Sequence, residues 1–143
     1  MSELSKALGN TAPPHQITHE GKTYSFFLVD QIRKNALEKR LYQNAREAVY
    51  ADREYMNSEE YLKRLDAVRE AYELGQYGFF GERGGKILQT PRGMLMLLEV
   101  LTGENEDAVI ELMTARPEEV NTVIRTIMSE SFKGVKQAAT ANA

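Results

Sequence analysis

DQIRKNALEKRLYQNAREAV, residues 30–49, decides the fold class. Ile32, Ala36, Leu37, Leu41, Ala45, Ala48 and Val49 recur at steps of three and four, which draws one apolar stripe along a helix. Arg33, Lys34, Lys39, Arg40, Arg46 and Glu47 occupy the other face. Asp30 is a suitable N-cap, and the pattern carries the helix to about Met56. A helix of this length needs other helices to cover its stripe, so the chain is read as mainly α.

Downstream, the same logic gives more helices. Asn57 with Glu60 forms a capping-box pattern, and Tyr61, Leu62, Leu65, Val68 and Tyr72 follow on one side up to Gly75. With so short a connection, the first two helices form an antiparallel hairpin or one helix with a break. Thr90-Pro91 opens another helix, carrying Met94, Leu95, Leu97, Leu98 and Leu101 and closed by Thr102-Gly103. Asn105 caps a short one with Val109, Ile110, Leu112 and Met113. Pro117-Glu118-Glu119 starts the last, with acids where the helix dipole favours them and Val120, Val123, Ile124, Ile127 and Met128 behind.

Upstream, the period changes to two. Ile17 and Thr18 precede a Glu20-Gly21 turn, and Tyr24 and Phe26 share one face beyond it. Two short strands are marginal alone, so this hairpin must lie on helices. The expected architecture is a short N-terminal β-hairpin packed on a bundle of about five helices. It forms a single domain over 15–132, between a flexible lead (1–14, ending in Ala12-Pro13-Pro14) and a small, polar tail (133–143).

Composition narrows the classes of function. The 143 residues suit one domain of ordinary size, 42% of them are hydrophobic, and the net charge of −3 gives duplex nucleic acid no general attraction. No run is apolar enough for a membrane span, Met1–Asn10 has no secretory pattern, and there is no cysteine for a disulfide or thiolate metal site. A soluble, cytoplasmic protein is expected.

The search for chemistry yields no catalytic, cofactor or metal residue, and the chain is not expected to be an enzyme. His15 and His19 are four apart in a strand segment, with no third ligand at a recognisable spacing. Gly84-Gly85-Lys86 fails as a phosphate loop, because Phe80 stands where the first glycine belongs and Ile87 where Ser or Thr belongs. The carboxylates Glu59, Glu60, Glu104, Glu106, Asp107, Glu118 and Glu119 cluster at helix starts, where the dipole accounts for them.

One segment stands apart. Between Gly75 and Thr90, five glycines sit among Tyr77, Phe79, Phe80, Arg83 and Lys86. That is too much glycine for a stable helix and too many residues for an ordinary connection. Three readings stay open: a mobile protein-binding loop, a structural turn with its aromatics tucked into the core, and a clamp for single-stranded nucleic acid.

The order of parts resembles the tail assembly chaperones of long-tailed bacteriophages and prophages. The carriers are Ile17 to Tyr24, with Gly21-Lys22 and Tyr24, and Pro91-Arg92-Gly93-Met94-Leu95-Met96-Leu97-Leu98-Glu99-Val100-Leu101-Thr102-Gly103. Glu106 to Leu112 and Pro117 to Val120 extend the likeness, which covers most of 16–130. It implies a chaperone that holds the tape-measure protein, and tail-tube subunits as well, in the host cytoplasm until the tail polymerises. It also implies an apolar surface able to receive an amphipathic helix. Candidate partner-binding residues are Tyr77, Phe79, Phe80, Arg83 and Lys86, with Ile124, Ile127 and Met128 on the last helix. Ser131-Phe132-Lys133 is where a slippery codon run would give a longer frameshifted product. Competing readings are a ring-forming virion component (head–tail connector or minor capsid or tail protein) and a regulator that binds single-stranded nucleic acid.

Overall fold

The computed structural model describes residues 15–132; the expected lead and tail lie outside them. In chain order the elements are β1 (His15–His19), β2 (Lys22–Phe26), α1 (Gln31–Ala51), a 3₁₀ turn (Arg53–Tyr55), α2 (Ser58–Glu73), α3 (Glu82–Ile87), α4 (Pro91–Thr102), α5 (Glu106–Ala115) and α6 (Pro117–Ser131). The protein is mainly α with an N-terminal hairpin, and has six α-helices among the described residues. By their internal contacts the described residues divide into two compact units, 15–33 with 98–132, and 34–97, the divisions falling inside α1 and α4.

The first unit holds the hairpin. Register runs from His15 opposite Phe26 to His19 opposite Lys22, closed by a two-residue turn. Both turn residues have positive φ, 50° at Glu20 and 78° at Gly21, as a type I′ turn requires. Ile17 and Tyr24 are paired across the strands and buried, and Phe26 is fully buried. The opposite face carries Thr18 and Thr23, whose hydroxyls lie 3.1 Å apart. β1 packs on α6, and α6 on α5. Two further bonds tie down the chain after β2: Phe27 N–H donates to the Leu101 carbonyl at 3.1 Å, and Val29 N–H to Ser131 Oγ at 2.9 Å. Leu101, Val109, Leu112, Val120, Ile124 and Ile127 are buried with the hairpin residues as this unit's core.

In the second unit, α1 and α2 form the antiparallel hairpin. Tyr42, near the middle of α1, packs on Tyr72, late in α2, while Tyr50 and Tyr61 line one cleft nearer the connection between them. The caps are local chemistry. Asn57 Oδ1 accepts from Glu60 N–H at 2.8 Å and Thr90 Oγ1 from Gly93 N–H at 3.0 Å, and at the start of α1, within the first unit, Asp30 Oδ1 accepts from Arg33 N–H at 2.8 Å. α1 stops at Ala51 rather than near Met56, because Asp52 and Arg53 carbonyls accept from Tyr55 and Met56 in the tighter 3₁₀ pattern.

The glycine segment contains a helix that its composition argues against. α3 forms because tertiary contacts compensate for poor propensity. The Gln76 carbonyl accepts from both Arg83 N–H (3.0 Å) and Gly84 N–H (2.8 Å), satisfying donors at the helix start. Gly84 is buried so closely against the Gly78 and Tyr77 backbone that a Cβ there would fall on the Gly78 carbonyl oxygen. Gly93 is held in the same way against the Ile87 carbonyl. These glycines allow backbones to approach one another, a packing role rather than a hinge.

Candidate functional site

Helical spacing places Tyr42, Arg46 and Tyr50 along one face of α1, each four residues from the next. The Arg46 guanidinium carbon lies 5.7 Å from the Tyr42 ring centre. Arg53, in the 3₁₀ turn, lies 3.9 Å over the Tyr50 ring, and its Nη1 donates to the Tyr50 carbonyl at 3.0 Å. Tyr42 also meets Tyr72 (centroids 4.2 Å, tilted 39°) and Tyr77 edge-on (6.2 Å, 65°). Arg83 continues the series, 5.9 Å from the Tyr77 ring centre, with Nη1 donating to the Tyr77 hydroxyl at 3.3 Å. Tyrosines and arginines therefore alternate along the α1–α2 hairpin and onto the glycine segment.

Near the tip of that hairpin, Gln43, Arg46, Glu47, Tyr50, Tyr61 and Leu65 line a cleft of about 210 Å³. Pockets for drug-sized ligands are larger, so this one suits a single inserted side chain. Tyr50, in its lining, is an exposed large apolar group, and so are Leu62, beside Tyr61 in the chain, and Tyr55, the last 85% exposed. Leu74 and Phe80 are exposed elsewhere in the same unit. Each guanidinium over a ring is worth on the order of 0.5–1 kcal/mol at exposed sites, and stacking fixes the arginine in a defined direction. Tyrosine and arginine are also the residues that dominate binding energy where proteins meet.

The residues expected to bind a partner divide between the two units. Tyr77 is buried, so it anchors the tyrosine cluster and offers no free face. Phe79 is half-buried, Phe80 is 73% exposed, and Arg83 and Lys86 are exposed; Lys86 lies 4.0 Å from Glu82. On α6, Ile124 and Ile127 are buried and Met128 is half-buried. The isoleucine stripe faces the core of its own unit rather than outward, which removes both from any docking face. Gly84-Gly85-Lys86 lies within α3.

Sequence reasoning missed Tyr42, Tyr50, Tyr61, Tyr72 and Arg53. The i, i+4 spacing of Tyr42, Arg46 and Tyr50 was visible, yet only pairing with α2 and Tyr77 makes it a cluster. The two histidines share a face of β1, but four residues of strand separate them by about 13 Å, too far to share an ion. Each faces a carboxylate instead: His15 Nε2 lies 3.7 Å from Glu130 Oε1, and His19 adjoins Glu20 and Glu111. No helix among the described residues is long and apolar enough to cross a membrane. Comparison with known proteins finds no matching family model, no matching curated protein and no matching solved structure.

Proposed function

We propose that this protein works by binding another protein, with the Tyr/Arg face of the α1–α2 hairpin as its docking surface. The reading rests on one observation: among the described residues, five of the seven exposed large apolar side chains (Tyr50, Tyr55, Leu62, Leu74 and Phe80) belong to the unit in which Arg46, Arg53 and Arg83 lie over tyrosine rings. Scattered single hydrophobics need no explanation, but aromatics with oriented guanidiniums around a side-chain-sized cleft suit an amphipathic helix that inserts one residue.

The partner we propose is the tape-measure protein of a long-tailed phage, held in the host cytoplasm before the tail polymerises, with tail-tube subunits as a second client. The β-hairpin of 15–26 and the helices of 91–131 follow the order of parts that carries the resemblance to tail assembly chaperones. A long helical client with an apolar stripe would aggregate alone, and a shallow exposed face can bind it and let it go. No cofactor enters this role.

The test is co-expression with the tape-measure and tail-tube proteins encoded beside it, followed by co-purification and light scattering. A soluble complex with the tape measure, which becomes insoluble without this chain, is the expected result. A chain that ignores both and elutes as a large closed ring would overturn the reading in favour of a virion component.

A further inference from the structure

We infer that His19, Glu20 and Glu111 form a divalent transition-metal site, best suited to Zn²⁺, that links the hairpin turn to α5. His19 ends β1, Glu20 opens the turn, and Glu111 comes from α5, far along the chain. Nε2 of His19 lies 3.9 Å from Glu20 Oε1 and 4.0 Å from Glu111 Oε1, and the three donor atoms all lie within 4.8 Å of one another. Neither contact is short enough to be a hydrogen bond. The separations do leave room for an ion between the donors. With bonds of about 2.0–2.2 Å, tetrahedral zinc sets its donors roughly 3.3 Å apart, so the two separations from His19 must close by under about 1 Å and the one between the carboxylates by up to about 1.5 Å.

The mobility of the groups is arranged for that closure. The His19 side chain is only 14% exposed and held by the strand, whereas Glu20 and Glu111 are 75% and 58% exposed and free to change rotamer. A neutral imidazole with two carboxylates brings a charge of about −2 to a dication, and the nitrogen donor favours zinc-like ions over calcium or magnesium. Lys22 is hydrogen-bonded to Glu104 rather than to the site, its Nζ donating at 2.9 Å, although it feels the Glu111 charge. Three protein ligands leave a fourth position open to water. The site is independent of the proposed docking face, which lies in the other unit.

The test uses the tag-free full chain at about pH 7.5, in a buffer that does not bind metal. Titration calorimetry with Zn²⁺ and the visible spectrum with Co²⁺ are both read. The expected result is saturable binding of about one ion per chain, a tetrahedral Co²⁺ band, and a melting temperature raised by Zn²⁺ and restored by chelator. His19→Ala should abolish binding, and Glu111→Gln and Glu20→Gln should each weaken it by about 10-fold or more. His15→Ala should leave it unchanged. Glu20→Gln alters only an exposed turn side chain, so it tests the site without risk to the fold. An absence of saturable Zn²⁺ binding up to about 1 mM, or equal affinity in wild type and Glu111→Gln, would overturn the inference.

Discussion

The two units differ in what they leave uncovered. In the hairpin unit, ten acidic residues face four Lys and Arg over 15–33 and 98–132, and Ile32 and Ile110 are the large apolar side chains left exposed. In the helical unit, ten acids meet eleven Lys and Arg, and five large apolar side chains are exposed. Both units set cations over rings, Arg33 over Phe27 in the first and Arg46, Arg53 and Arg83 over tyrosines in the second, but the first exposes mainly acids and the second exposes large apolar groups beside its arginines. The difference separates holding a shape from recognising a partner, although both units are built from short, well-capped helices.

Breaking the closed unit should produce the largest effect. Phe26 is fully buried in the strand that faces the helices, so Phe26→Ala should cost about 3–5 kcal/mol of unfolding free energy in urea titration. A loss below about 1 kcal/mol would mean that the hairpin is not part of this core. Next comes Gly84→Ala, which forces a methyl onto the Gly78 carbonyl and should cost about 1–3 kcal/mol, measured in the same way. A neutral result there would show that the glycine segment yields, and would revive the mobile-loop reading.

The recognition side of the contrast calls for a different readout. Tyr50→Ser with Tyr55→Ser should lower stability by no more than about 1 kcal/mol for each change, the Arg53 stack included, yet weaken capture of the tape-measure client by about 10-fold or more. Ile110→Ser, the counterpart on the other unit, should leave capture intact. Equal losses from both would erase the distinction between the units.

The smallest effect concerns Lys22. Its hydrogen bond to Glu104 raises the ammonium pKa above the ordinary 10.5, the Glu104, Tyr24 and Glu111 charges add to this, and desolvation opposes it. A raised cation contributes fully below the unfolded value and loses that contribution as pH climbs through the folded one. The pair's share of stability should therefore be complete below about pH 10.5 and fade above it, and Lys22→Gln should remove that alkaline component. Melting curves from about pH 8 to 11 would check this; the step should be slight, since surface pairs contribute little.

The sequence was readable where structure is local. The Glu20-Gly21 turn, the Asn57 and Thr90 caps and the proline at the start of α6 each follow from residues within a few positions, and all are present. Apolar periodicity located the long helices but misjudged their edges: Ile32 belongs to the α1 stripe by spacing and is nonetheless exposed. The glycine segment was misread because α3 depends on a carbonyl from Gln76 and on the Tyr77–Gly78 backbone that packs against Gly84, and both partners lie outside Glu82–Ile87. The tyrosine cluster and the Glu111 carboxylate beside His19 were illegible for the same reason. Each joins residues from elements far apart in the chain, and one sequence fixes no such pairing.

The turn of the hairpin sets up a trade-off. Glu20 holds φ at 50°, a conformation that Asn, Asp or Gly adopts at lower cost, and a side chain with a long stem gains nothing from it locally. Asn at this position would relax the turn and shorten the reach of the side chain, giving up the carboxylate that faces His19. Selection for a robust hairpin and selection for an ion at its tip thus favour different residues at position 20. Directed evolution under heat alone would be expected to trade the glutamate away, and the same experiment run with zinc in the medium would be expected to keep it.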